Sequence, residues 1–145
     1  MFIILEVMSL NKEVNGIILN QIKLFDTLQK YLEEQKEFIR NNKLFELDGV
    51  SFKINNVCKS IADEEVKLRK LLNNEYIKDF VMKNKDDKEL YESYILLVSL
   101  VEKINLIKDD NKFLIKKSLS FTNKLLSSIN KNANQPNVYT RKPNY

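Results

Sequence analysis

A single thiol, Cys58, and three carboxylate pairs, Glu33-Glu34, Asp86-Asp87 and Asp109-Asp110, are the side chains of this 145-residue sequence with the chemistry to attack, protonate or ligate. A cysteine becomes a strong nucleophile when a base or a positive environment lowers its pKa, and the usual base is histidine. The sequence contains no histidine. That removes Ser/His and Cys/His nucleophile pairs and, with them, the commonest metal ligand. Carboxylates adjacent in sequence point to different sides of a helix, so each pair reads as a solvated face or a cap. Cys58 falls on an apolar stripe, where a thiol behaves as a small core residue. Two glycines make neither a phosphate-cradling loop nor a dinucleotide fingerprint. The reading is of a non-enzyme with no cofactor and no metal.

The elements that carry these residues are helical. Both prolines lie after residue 135, and two glycines and two prolines in 145 residues leave no turn chemistry for a β-rich chain. With 43% apolar and 30% charged residues, the sequence predicts an all-α fold, an elongated antiparallel three-helix coiled-coil bundle with a disordered C-terminal tail. In the first helix, about 9–46, Leu10, Val14, Ile17, Gln21, Leu24, Leu28, Tyr31, Gln35, Phe38, Asn42 and Phe45 alternate four- and three-residue steps. Leu47-Asp48-Gly49 is the expected break, with Gly49 left-handed and Asp48 or Ser51 capping the next helix. That second helix, about 50–74, presents Ile54, Cys58, Ile61, Leu68 and Leu72 on one face. Residues 75–85 are either its extension or a packed connection. Asp86 with Glu89 has capping-box spacing and opens a third helix, about 87–130. Its stripe runs Leu97, Leu100, Ile104, Ile107, Asn111, Leu114, Ser118, Phe121 and Leu125, widened by Val101, Ile115, Leu119 and Ile129. Residues 1–8 read as a loose leader or a mis-assigned start, with Met8 as the alternative initiator, and 131–145 as a flexible tail. Phe2-Ile3-Ile4-Leu5 is too short for a signal peptide and no segment is long enough to span a bilayer. One cysteine excludes an internal disulfide. A cytoplasmic protein without membrane insertion is expected.

Net charge is +4, and it is concentrated late. From Asn111 onward every charged side chain is basic: Lys112, Lys116, Lys117, Lys124, Lys131, Arg141 and Lys142. Before residue 111 acidic groups interleave with lysines and no recognition module is present, so nucleic acid is not the expected partner. The second helix is too short to cover the third, so some apolar surface near the third helix's end is left for a partner. Asn111 has two readings: a polar position that fixes coiled-coil register, or a contact in a partner groove.

The segment Ile107-Lys108-Asp109-Asp110-Asn111-Lys112-Phe113-Leu114-Ile115-Lys116-Lys117-Ser118-Leu119-Ser120-Phe121 resembles the late-helix pattern of the FlgN family of flagellar export chaperones. Asn111 is the position that carries over from the family's paired asparagines; Lys108 replaces the other. Leu125-Leu126 and Tyr139 fall where that family closes its helix and carries a tail tyrosine, and Asp63-Glu64-Glu65-Val66-Lys67-Leu68-Arg69 is similar to its mid-chain helix. The resemblance implies a cytosolic chaperone whose clients are hook-associated hook–filament junction proteins of the FlgK/FlgL type, kept soluble at their terminal segments. Delivery would be to the flagellar type III export gate, with Tyr139 as the gate contact. The expected client site is Asn111, Leu114, Ile115, Ser118, Leu119, Phe121, Leu125 and Ile129. The free protein is expected as a monomer or weak homodimer. The alternative is a generic self-associating coiled-coil scaffold or assembly protein.

Overall fold

The computed structural model of the chain describes residues 2–133, all helix or tight connection, with no strand among them. Four helices follow in order: α1 Phe2–Arg40, α2 Leu44–Leu71, α3 Ile77–Lys83 and α4 Lys88–Ala133. At 1.5 Å per residue, α1 and α4 are roughly 58 Å and 69 Å long.

Helix α1 is the spine. Helix α2 returns along it in the opposite direction: Gln21 donates to Glu65 at 3.4 Å, and the Lys53 ammonium sits 5.7 Å from the Tyr31 ring centre. Helix α4 lies along α1 in the same direction, since Asn11 meets Asp87 at one end and Lys36 meets Asp110 at the other. Serving two neighbours demands a broad apolar face. The fully buried line of α1 is Val14, Ile18, Leu28, Leu32 and Ile39, with Asn11 and Gln21. It runs beside the seam expected from period alone and shares Val14, Gln21 and Leu28 with it. On α4 the buried positions Leu90, Leu97, Ile104 and Asn111 recur every seven residues, the spacing that keeps one stripe against a straight neighbour.

The core is dense at one end and thin at the other. Val14, Ile18, Leu68, Leu72, Phe80, Val81, Leu90 and Leu97 form the main cluster, where α3 closes over the start of α4. Burial, and then the Asp79 carboxylate of α3, raise the pKa of the Tyr94 phenol there. Toward the Arg40 end the contiguous core reduces to Leu28, Leu32 and Ile104, flanked by half-buried Ile54, Val57, Ile61, Leu100 and Ile107, with Ile39 and Val50 buried apart from it.

Several boundaries differ from the sequence expectation, each for a local reason. The first helix stops at Arg40 because Asn42 takes the left-handed conformation, φ 54°. The Lys43 N–H then donates to the Phe38 carbonyl at 2.9 Å and the Asn42 N–H to Ile39 at 3.3 Å, the paired closure that ends helices. Asn73, φ 50°, closes α2 in the same way, with the Asn74 N–H on the Arg69 carbonyl at 3.0 Å. Asparagine therefore takes the role expected of Gly49, which is helical inside α2. Asp48 and Ser51 are not caps; the Ser51 hydroxyl bonds the Leu47 carbonyl within the helix. Asp87, not Asp86, caps α4, its carboxylate accepting from the Leu90 N–H at 3.1 Å. Residues 75–85 form a packed connection containing α3. Cys58 is exposed rather than core, because Val57 takes the inward position. Residues 2–8 continue α1 as regular helix, with Ile3, Ile4, Leu5, Val7 and Met8 exposed. The third helix extends to Ala133, and the expected tail from 134 to 145 lies outside the described residues.

Gly16 and Gly49 are both helical, and a methyl group added at either would meet nothing within 4 Å. Glycine in a helix interior costs about 1 kcal/mol relative to alanine. The double variant Gly16→Ala/Gly49→Ala is therefore expected to raise stability by about 1–2 kcal/mol, read as a higher urea midpoint with an unchanged slope. An unchanged or lower midpoint would contradict the open surroundings of both sites.

Candidate functional site

The register between α1 and α4 determines where α4 leaves the bundle. The Asn111 amide donates to the Leu32 carbonyl at 2.8 Å and to Gln35 Oε1 at 2.9 Å. Lys36 pairs with Asp110 at 3.4 Å beside it. Helix α1 has little more than one turn left, ending at Arg40. Leu114, Ile115 and Ser118 are accordingly half-buried, and every residue from Leu119 to Asn130 is exposed. From Leu119 to Ala133 the helix projects as an arm roughly 22 Å long.

The arm is not a solvated polar helix. Leu119, Phe121, Leu125, Leu126 and Ile129 are 58%, 64%, 47%, 53% and 57% exposed. At about 100° per residue they continue the buried stripe as an arc roughly 160° wide. Fully burying a Leu, Ile or Phe side chain is worth about 1.5–3 kcal/mol, so five of them in water represent an unsatisfied driving force for association. At the same end of the bundle α2 begins, and its first residues, Leu44 and Phe45, are 75% and 90% exposed. They form an apolar shoulder at the base of the arm.

The expected client residues thus divide. Leu119, Phe121, Leu125 and Ile129 share the free arm. Leu114, Ile115 and Ser118 sit at its root. Asn111 is only 2% exposed, and both its donated hydrogen bonds go to α1, which matches the register-fixing reading rather than a groove contact. Tyr139 lies outside the described residues. Sequence reasoning missed Leu44, Phe45 and Leu126. The signal for the first two was the adjacent Asn41-Asn42, which moves the helix start ahead of Leu44; Leu126 falls seven residues after Leu119, on the same edge of the arc.

The residues with chemical potential do not converge. Asp87 is a cap, Asp110 meets Lys36, Glu33 accepts from Gln29 at 3.1 Å, and Cys58 stands apart on α2. Among the described residues no three His, Cys, Asp or Glu side chains are grouped to hold a metal. No helix of the described residues is long and apolar enough to cross a membrane.

The FlgN family model, described as FlgN protein, matches residues 8–145. The match takes in most of α1, the whole of α2 to α4 and the residues beyond. No curated protein and no solved structure matches the chain.

Proposed function

Since the chain belongs to the FlgN family, which places it among the flagellar chaperones, we propose that its arm holds the terminal segments of hook–filament junction proteins in the cytoplasm and presents them to the flagellar type III export gate. The observation that carries this reading is the uncovered stripe Leu119–Ile129, which continues the line of Leu90, Leu97, Ile104 and Asn111 that is buried on the earlier turns of the same helix. A client segment that folds into an amphipathic helix buries its own stripe and the arm's in one step. Exposed Leu44 and Phe45, at the end of the bundle from which the arm leaves, offer the segment further apolar surface. Ordering a disordered client costs about 2–5 kcal/mol of the gross interaction, which keeps the complex releasable without nucleotide hydrolysis. Tyr139, in the tail, is the proposed gate contact.

The test is co-elution of the full chain with recombinant junction proteins from the same organism on size exclusion. Complex formation with at least one junction protein, and none with an unrelated secreted protein, is the expected result. No complex with any junction protein would end the proposal. The scaffold reading draws on the same exposed stripe, satisfied instead by self-association. Sedimentation at low micromolar concentration separates the two, because a stable oligomer that buries residues 119–129 leaves no arm for a client.

A further inference from the structure

The charge of the arm carries information about what it receives. From Asn111 to Ala133 the helix has five lysines and no acidic residue, whereas every earlier helix mixes signs. Lys112, Lys116, Lys117 and Lys124 are all exposed, and among the described residues none of them is in an ion pair. Their placement around the helix is not uniform. At about 100° per residue, Lys112 and Lys116 border the apolar arc beyond Leu119, and Lys117 borders it beyond Phe121. Unpaired positive charge therefore flanks both edges at the root of the stripe, and Lys124 continues it along the arm on the Phe121 side. The shoulder differs, since Glu46 and Asp48 stand there beside Lys43. Single-signed charge is confined to the arm and the two turns at its root.

We infer that the arm selects an amphipathic helical segment whose apolar stripe is bordered by Asp and Glu, and that acidic flanks, more than apolar content, separate its clients from other amphipathic segments. This rests on the docking reading proposed above. Like charges brought together along both rims oppose a basic segment, and opposite charges accelerate encounter with an acidic one. The apolar stripe supplies affinity in either case, so the charges act as a filter. A basic amphipathic helix also suits an anionic bilayer. The start of α2 favours a peptide, because Glu46 and Asp48 stand at the end of the bundle from which the arm leaves and would repel an anionic surface.

The experiment uses the full chain and two synthetic 18-residue helical peptides with an identical Leu/Ile stripe, one flanked by Glu and the other by Lys. At about 50 mM salt the Glu-flanked peptide is expected to bind roughly 10-fold more tightly, a gap that closes to about twofold near 0.5 M as the screening length falls. The Lys116→Glu/Lys117→Glu variant, changed only at exposed positions, is expected to reverse the preference while melting like the parent. Equal binding of both peptides at low salt overturns the charge filter and leaves the docking reading standing. Binding of neither peptide overturns both. Stronger binding to phosphatidylglycerol vesicles than to the Glu-flanked peptide also overturns the inference, in favour of a membrane surface.

Discussion

With Leu119, Leu125 and Ile129 changed to Asp, the chain is expected to fold normally and to lose binding to the proposed junction-protein client. All three side chains lie on the free arm and are about half exposed or more, so the bundle's melting temperature should move by less than about 3 °C, in line with surface substitutions that disturb no packing. Client affinity should fall at least 100-fold, because each position forfeits an apolar burial of about 1.5–3 kcal/mol and adds a carboxylate that needs water. Titration calorimetry and a thermal melt on the same preparation make the comparison. Retained binding by the folded triple variant would place the client elsewhere. Leu114 is unsuited to this test: it is half-buried at the arm's root, so an Asp there confuses loss of docking with loss of packing.

The second large effect concerns Asn111. Its side chain is buried, its Nδ2 satisfies the Leu32 carbonyl and Gln35, and its Oδ1 has no partner. Asn111→Asp replaces the donor with a carboxylate facing a carbonyl oxygen. An uncompensated buried charge costs about 3–5 kcal/mol, a large share of the roughly 5–15 kcal/mol that holds a typical domain together. Burial raises the pKa of the introduced carboxyl above its unfolded value of about 3.9. The folded state then holds the proton more tightly than the unfolded one, so stability is lost as pH rises through the folded pKa and regained on acidification. Relative to the parent, the deficit in a urea melt should be large at pH 7 and much smaller near pH 4. A deficit independent of pH would mean that the site is wet. The double variant Asn111→Leu/Gln35→Leu provides the contrast: it replaces both hydrogen-bonding partners and the unpartnered oxygen by apolar groups, and its stability should equal or exceed the parent's.

How much of this is legible in the sequence depends on which signals physics writes locally. The helices announce themselves through period, the scarcity of Gly and the absence of Pro before residue 136. The uncovered end of α4 is legible too: Leu119, Phe121, Leu125 and Ile129 are exposed because two shorter helices run out beside a longer one. The helix stops are harder to read, because Gly49 looks like the natural left-handed residue, whereas Asn42 and Asn73 tolerate that conformation through their short polar side chains. The inward position on α2 differs from the expected Cys58 by one residue, since a helix that touches a neighbour over a wide arc leaves a single stripe unable to say which edge faces in. Asn111 looks like a site residue by pattern. Only the packing of α1 against α4 shows that its hydrogen bonds are made inside the bundle, a pairing across 76 residues that no local period encodes.

The same asparagine acts as a ruler. Helices with seven-residue stripes tolerate slippage by one heptad, and Leu90, Leu97 and Ile104 are near-equivalent apolar rungs. A slip would carry α4 along α1 by about 10 Å, nearly half the arm, either drawing residues 119–125 back beside the bundle or carrying Leu114 and Ile115 out onto the arm. One buried amide that finds its partners only opposite Leu32 and Gln35 makes every other setting costly. The length of helix left free beyond the bundle is thus set by a single buried amide, and the polar intrusion in an otherwise apolar interface is the mark on the scale.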